Sequence, residues 1–261
     1  MKKKFFIIPA CFTLAFLCAE ARVQNDSWST FEEGSWVVMK ESDIRGSDQK
    51  THRVKTVKSG LIGRGTELLR FTEEAGGFDT EPRRSTTIPG ASIERLPGSR
   101  LDAEEQDTLS INGSEYNCIL ETYVLTRPGS SEGETWFKLW KSEGVDIPYR
   151  ELSLPGPDFA LDPDVLRIDF SIKGPGGTQS GSLKVVSLEE TIGLDGEVLT
   201  CVMEEAEMTM DRRGSEMSAT LQRWLSSQVP GHTAKLVSEI NQDGTIIKHE
   251  EIIEEYGVTP K

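Results

Sequence analysis

The sequence predicts a mainly β protein: an antiparallel curved sheet, or a half-barrel, built from two related β-hairpin repeats with few or short helices. Three observations carry this. Residues 108–121 (TLSINGSEYNCILE) lie over residues 191–204 (TIGLDGEVLTCVME) without a gap. Thr108/Thr191, Gly113/Gly196, Cys118/Cys201 and Glu121/Glu204 are identical, and Leu109/Ile192, Ile111/Leu194, Asn112/Asp195, Ile119/Val202 and Leu120/Met203 are conservative. A repeat constrains architecture before any single residue is interpreted. Second, Asn112-Gly113, Asp195-Gly196 and Asp243-Gly244 are the pairs that type I′ hairpins prefer, and they sit between alternating segments. Third, with a shift of one residue Trp140, Ser142 and Val145 meet Trp224, Ser226 and Val229. Each tryptophan segment runs on to a proline, Pro148 or Pro230, which cannot donate to a ladder and should end a strand.

Taken in order, residues 1–21 read as a secretory signal. Lys2, Lys3 and Lys4 precede an apolar run from Phe5 to Leu17, and Ala19 and Ala21 satisfy the small-residue cleavage rule, so the mature chain is expected from Arg22 in the periplasm or outside the cell. The apolar run is too short and wrongly flanked for a membrane span. The alternative is a lipoprotein signal with Cys18 lipidated, which the bulky Leu17 before it opposes. Two units are expected after the signal: 22–156, a first β repeat with N-terminal strands and a long loop, and 157–261, a second β repeat.

Trp36–Met39, Val54–Val57 and Leu68–Phe71 read as short strands. From Thr72 to Gln106 the composition turns to Gly, Pro, Arg and Glu, and this stretch is expected to be mostly loop, with only Ala91–Leu96 strand-like. After the first Asn-Gly turn, Tyr116, Cys118 and Leu120 share a face; after the second turn, Leu199, Cys201 and Met203 do. Trp136, Lys138 and Trp140 share a face of a β-rich segment. Ser218–Leu225 and Lys248–Tyr256 also suit helices, but the repeat and the preceding Asp-Gly turn favour strands. Pro155–Val165 reads as a linker or ordered loop, and Lys173–Ser182 (KGPGGTQSGS) as the most flexible internal stretch.

The chain has 261 residues and a net charge of −14, a surface that repels nucleic acid and anionic headgroups. Cys118 and Cys201 are the two cysteines beyond the signal. They either form a disulfide, which export permits, or stay as buried thiols acting as small hydrophobes.

A hairpin followed by a strand leading to Trp-x-Ser and then Ile-Pro or Val-Pro (Trp140, Ser142, Ile147, Pro148; Trp224, Ser226, Val229, Pro230) resembles exported bacterial proteins of unknown function. These in turn resemble the lipoprotein-carrier superfamily, whose curved antiparallel sheet wraps hydrophobic cargo. The resemblance implies cargo binding. The chain departs from the carriers in being duplicated and in lacking obvious covering helices.

No catalytic, cofactor or metal residue is expected. His52, His232 and His249 form no pair at metal-ligand spacing. Ser47 and Lys50 make a Ser-x-x-Lys without the companion motifs of penicillin-binding enzymes. Gly60, Gly63 and Gly65 fit no phosphate-binding loop and read as turn glycines. Asp158, Asp162, Asp164 and Asp169 offer oxygens but lack the remaining ligands of an EF-hand. Trp136, Phe137, Trp140 and Trp224 either line an apolar groove or fill the core, and core is favoured. The functional expectation is a non-enzymatic exported β-rich module that binds an apolar ligand or a cell-envelope protein. The alternatives are a purely structural or interaction protein, and a hydrolase using unmarked acids with His232.

Overall fold

The computed structural model describes residues 26–74, 77–126, 135–152, 159–174, 177–212 and 215–260. Among these, one 3-10 turn (Ile93–Arg95) interrupts an otherwise all-β chain. Its strands are β1 (Trp36–Arg45), β2 (Asp48–Ile62), β3 (Gly65–Glu74), β4 (Gly77–Phe78), β5 (Arg83–Thr87), β6 (Ala91–Ser92), β7 (Ser99–Ile111), β8 (Ser114–Leu125), β9 (Trp136–Lys141), β10 (Arg150–Leu152), β11 (Phe159–Leu161), β12 (Val165–Gly174), β13 (Gly177–Leu194), β14 (Glu197–Arg212), β15 (Ser215–Leu225), β16 (Thr233–Gln242) and β17 (Thr245–Gly257). Among the described residues no helix is long and apolar enough to cross a membrane.

The main sheet has 14 antiparallel strands in the order β4-β3-β2-β1-β17-β16-β15-β14-β13-β12-β9-β8-β7, with β5 also paired to β3. It is curved and open. A second sheet, β10-β11-β6, packs against it. The N-terminal strand β1 pairs with the C-terminal β17 from Trp36↔Gly257 to Arg45↔Ile247, and β12 pairs with β13, so strands of both copies belong to one continuous sheet. The expected unit boundary at 156/157 lies outside the described residues.

The turns follow from the sequence. Asn112 and Gly113 have φ of 48° and 81°, Asp195 and Gly196 32° and 92°, Asp243 and Gly244 50° and 81°. Type I′ turns need positive φ at both central residues, which these pairs adopt at low cost. They close β7–β8, β13–β14 and β16–β17 at Ile111↔Ser114, Leu194↔Glu197 and Gln242↔Thr245.

The repeat extends to register. Asp107↔Cys118 matches Glu190↔Cys201, and Leu120↔Trp140 matches Met203↔Trp224. Trp140↔Arg167 matches Trp224↔Lys235, and each tryptophan ring carries its cross-strand cation, at 4.6 and 4.9 Å from the centroid. Each copy is therefore a four-strand unit, β7-β8-β9-β12 or β13-β14-β15-β16. One step beyond the stacked pair both ladders slip. Lys141↔Val165 and Leu225↔Thr233 leave Leu166 and Ala234 as extra residues, and both are buried completely. A bulge re-aims the side chain at its site, here into the core.

Three clusters make the core. In the first, Tyr123, Leu125, Phe137, Leu139, Ile168, Phe170 and Leu183 of the main sheet meet Ile93, Leu96, Leu152, Phe159 and Leu161. The other two are built alike. Leu109, Ile111, Tyr116, Cys118, Trp140 and Leu166 enter one, and their repeat counterparts Ile192, Leu194, Leu199, Cys201, Trp224 and Ala234 enter the other. The first hairpin tip packs against Val185, Val202 and Leu225 of the next copy, the second against Val37, Met39 and Ile253.

Some expectations hold and others are corrected. Cys118 and Cys201 are free thiols, buried in different clusters, and no disulfide joins them. The stretch Thr72–Gln106 is largely strand: the end of β3, then β4, β5, β6 and the start of β7. It reads as loop because β5 and β7 lie at sheet edges and are mostly exposed, so they lack the apolar alternation that marks a half-buried strand. Ala91–Leu96 is β6 followed by the 3-10 turn. Within Lys173–Ser182 the described residues are not a flexible loop but the ends of β12 and β13, paired down to Gly174↔Gly177. Gly181 there serves packing, since a Cβ would sit 2.2 Å from the Glu207 carbonyl oxygen and 3.0 Å from the Phe170 ring. Both tryptophan strands stop at Lys141 and Leu225, before their prolines. Ser218–Leu225 and Lys248–Tyr256 are strands, in β15 and β17.

Candidate functional site

Between β9 and β12 the first copy carries the crossover that holds β10 and β11, and these lie over its own sheet. A buried ion cluster pins it down. The Arg150 side chain is 0% exposed and its Nε lies 3.3 Å from Glu204 Oε2, itself 1% exposed. Arg223 Nε donates to Glu204 Oε1 at 2.7 Å, and its Nη2 reaches the Glu151 carbonyl at 3.3 Å. Arg150 Nη2 also donates to the Val165 carbonyl. Burial pushes the Arg150 pKa down to about 10, with the Glu204 charge opposing. Glu121, identical to Glu204 in the repeat, is only partly buried, 2.9 Å from Lys141 Nζ, which also pairs with Glu94. Cross-copy contacts thus decide how deep the same carboxylate sits.

Beyond that cover the same face continues. Cross-strand partners share a face, so the row Phe170↔Gly181↔Met208↔Ala219↔Ile240↔Ile247 crosses six strands on one side of the sheet. Ile172, Met210 and Met217 flank it in the next row, Leu183, Ala206 and Leu221 in the previous one. Phe170 is 2% exposed under the cover, Met208, Ala219 and Leu221 are half-buried, and Ile240 is 37% exposed. Ile172, Ala206 and Met208 pack directly against the covered cluster. The result is an apolar lane that begins in the core and runs out onto an open surface. With strands about 4.8 Å apart it is roughly 24 Å long. Its far end meets Asp43 and His249, 2.7 Å apart, with Glu251 at 2.8 Å from the same imidazole. Burial opposes protonation of His249, but the bonds to Glu251 and Asp43 outweigh it and hold its pKa above 6.5.

The residues singled out in the sequence fall elsewhere. Phe137 and Trp140 are core, while Trp136 and Trp224 are half-buried, Trp224 under its lysine. His232 is buried, its Nδ1 3.2 Å from the Ser226 carbonyl and its ring 5.2 Å from Phe31. His52 contacts Glu41 at 3.3 Å. Asp169 is bound by Arg167, and Asp162 lies 3.6 Å from Lys141. Among the described residues these acids and histidines assemble no metal-binding group. Ser47 and Lys50 lie at the β1–β2 hairpin. Cys18, the cleavage site and Asp158 lie outside the described residues. The lane residues Met208, Met210 and Met217 carry little mark in the sequence: Met208 and Met210 alternate on β14, and Met217 lies near the start of β15.

A shallow polar groove of about 410 Å³ is lined by Lys40, Thr51, His52, Arg53, Glu73 and Glu254. Arg53 is engaged there with Glu73, Glu254 and Glu255.

No protein-family model matches the chain, and no curated protein sequence does. Three solved structures are similar to it over most of their length. One, a candidate lipoprotein from Parabacteroides distasonis, has 9% identity and a TM-score of 0.36, covering 87% of this chain and 96% of its own. A candidate exported protein with YmcC-like fold from Bacteroides fragilis has 8% identity and a TM-score of 0.33, over 87% and 97%. The hypothetical lipoprotein YmcC from Escherichia coli has 10% identity and a TM-score of 0.29, over 83% and 87%. At these scores the likeness is distant and transfers no activity.

Proposed function

We propose that the chain is an exported, non-catalytic binding module whose ligand is apolar and lies along the Met208–Ala219–Ile240 lane. The observation that carries this reading is the interrupted cover. The first copy buries this face under β10 and β11, whereas the second leaves its continuation half-open. Methionine suits such a surface, because its unbranched, polarizable side chain adapts to irregular apolar shapes. The signal-like residues 1–21 support export. His232 and the Arg150–Glu204–Arg223 cluster are held in packing roles, which supports a non-catalytic reading.

The test is titration of the mature protein with a fluorescent long-chain fatty acid. Saturable binding is expected, weakened at least about tenfold by Ala219→Glu, which places a charge in the middle of the lane. Lys138→Glu, on β9 away from the lane, leaves binding unchanged. Absence of saturable binding to the wild-type protein, or equal binding by Ala219→Glu, overturns the reading.

A further inference from the structure

The main sheet ends at β7, and among the described residues no strand pairs with its outer side. In the two-residue hairpin closed by Ile111 and Ser114, the closing pair bonds within the hairpin, and every second residue repeats this. Leu109, Asp107 and Glu105 therefore turn their backbone groups to β8, while Ser110, Thr108, Gln106 and Glu104 turn theirs outward. Thr108 bears this out, since its N–H donates at 2.8 Å to the Asp107 side chain rather than to β8.

Natural edges are blunted by short length, proline, bulges or charged side chains, lysine above all. The opposite edge follows the rule, with β4 of 2 residues and β5 of 5. The β7 edge is longer, with 13 residues and neither proline nor lysine; it is exposed over most of its length and its ladder slips once, between Leu101 and Ala103. What it carries is one sign of charge, from Asp102, Glu104, Glu105 and Asp107, against Arg100 alone, which already pairs with Asp102 at 3.0 Å. Like charges set opposite one another across strands destabilise pairing. A second β7 would align carboxylate with carboxylate, and chains of net charge −14 repel before they meet. A strand bearing lysine or arginine gains instead.

We propose that β7 is a docking edge for an extended basic segment of a partner protein, which adds to the main sheet as one further strand through the outward groups of Glu104, Gln106 and Ser110. Main-chain bonds hold such a segment and side chains select it. This surface is separate from the lane and does not depend on it.

The probe is a short labelled peptide of alternating lysine and threonine, compared with its glutamate counterpart. The lysine peptide is expected to bind saturably, and hydrogen exchange at the Gln106 and Ser110 amides is expected to slow. The Glu104→Lys/Glu105→Lys variant, changed only at exposed side chains, loses affinity at least about tenfold and gains for the acidic peptide. Gln106→Pro removes an outward donor while sparing the β7–β8 ladder, and abolishes binding; a lysine peptide N-methylated at alternate residues gives the same loss without altering the protein. Three results overturn the proposal: no binding by the wild-type chain, equal binding by the N-methylated peptide without protection of β7 amides, or self-association through β7 in sedimentation.

Discussion

The two copies agree in turn chemistry, register, bulge and core positions, and differ in how the tryptophan strand reaches the fourth strand. The second copy crosses from Leu225 to Thr233, and the first from Lys141 to Val165, making room for β10 and β11. Both crossings are tied in the same way. Ser142 N–H donates to the Asp164 carbonyl at 3.0 Å, and Ser226 N–H to the His232 carbonyl at 2.8 Å. The shared frame therefore specifies a sheet, and the insertion decides which part of its inner surface is closed. The unmatched region distinguishes the halves, so the search for a binding surface belongs where the cover stops.

The comparison breaks most visibly at the shared glutamate. Glu204→Gln leaves Arg150 buried beside a neutral amide, and a loss of about 3–5 kcal/mol is expected in urea unfolding, as for other broken buried pairs. Glu121→Gln, at the same repeat position but partly exposed, costs about 1 kcal/mol or less. Equal losses would show that the insertion does not bury the carboxylate of the second copy.

The bulge offers a finer test. Leu166→Ala copies the second unit into the first and costs about 2–5 kcal/mol, because the longer crossing packs around the leucine. Ala234→Leu makes the reverse change and costs about 1–3 kcal/mol by overpacking. If either exchange is neutral, the two bulges do not serve equivalent cores.

The smallest effect is a divergence in pH response. Burial holds the His232 pKa below 6.5, opposed by its bond to the Ser226 carbonyl. The unfolded chain then takes up that proton first, so stability is full above 6.5 and falls as the pH drops below it. Burial lifts the Asp164 carboxyl above 3.8, against the pull of Lys141. There the folded chain holds the proton longer, so stability is lost as the pH rises above 3.8 and through the folded pKa. His232→Asn, an amino acid that tolerates the φ of 62° at this position, flattens the loss between pH 7 and 5, while Asp164→Asn removes the opposite slope at lower pH. Unfolding midpoints across that range check both signs.

Much of the frame was legible from local chemistry. Asn-Gly and Asp-Gly pairs announce positive φ, and the matched cysteines and tryptophans announce equivalent strands. Lys173–Ser182 and Thr72–Gln106 misled because composition reports flexibility or polarity, whereas Gly181 is small to admit Phe170 and β7 is polar because it is an edge. The lane was not legible at all. Its rows join six strands through register, and no single segment contains more than two or three of its residues. Arg150 likewise carries no mark in the sequence, and only the crossover brings it onto Glu204.

The half-open lane can be examined residue by residue by methyl NMR. In mature protein carrying 13C-methyl methionine, addition of oleate is predicted to shift Met208, Met210 and Met217 saturably, while Met39, in the closed cluster, and Met203, on the opposite face beside Trp224, stay in place. Unmoved lane methyls, or equal shifts at Met39 and Met203, would contradict binding along the lane.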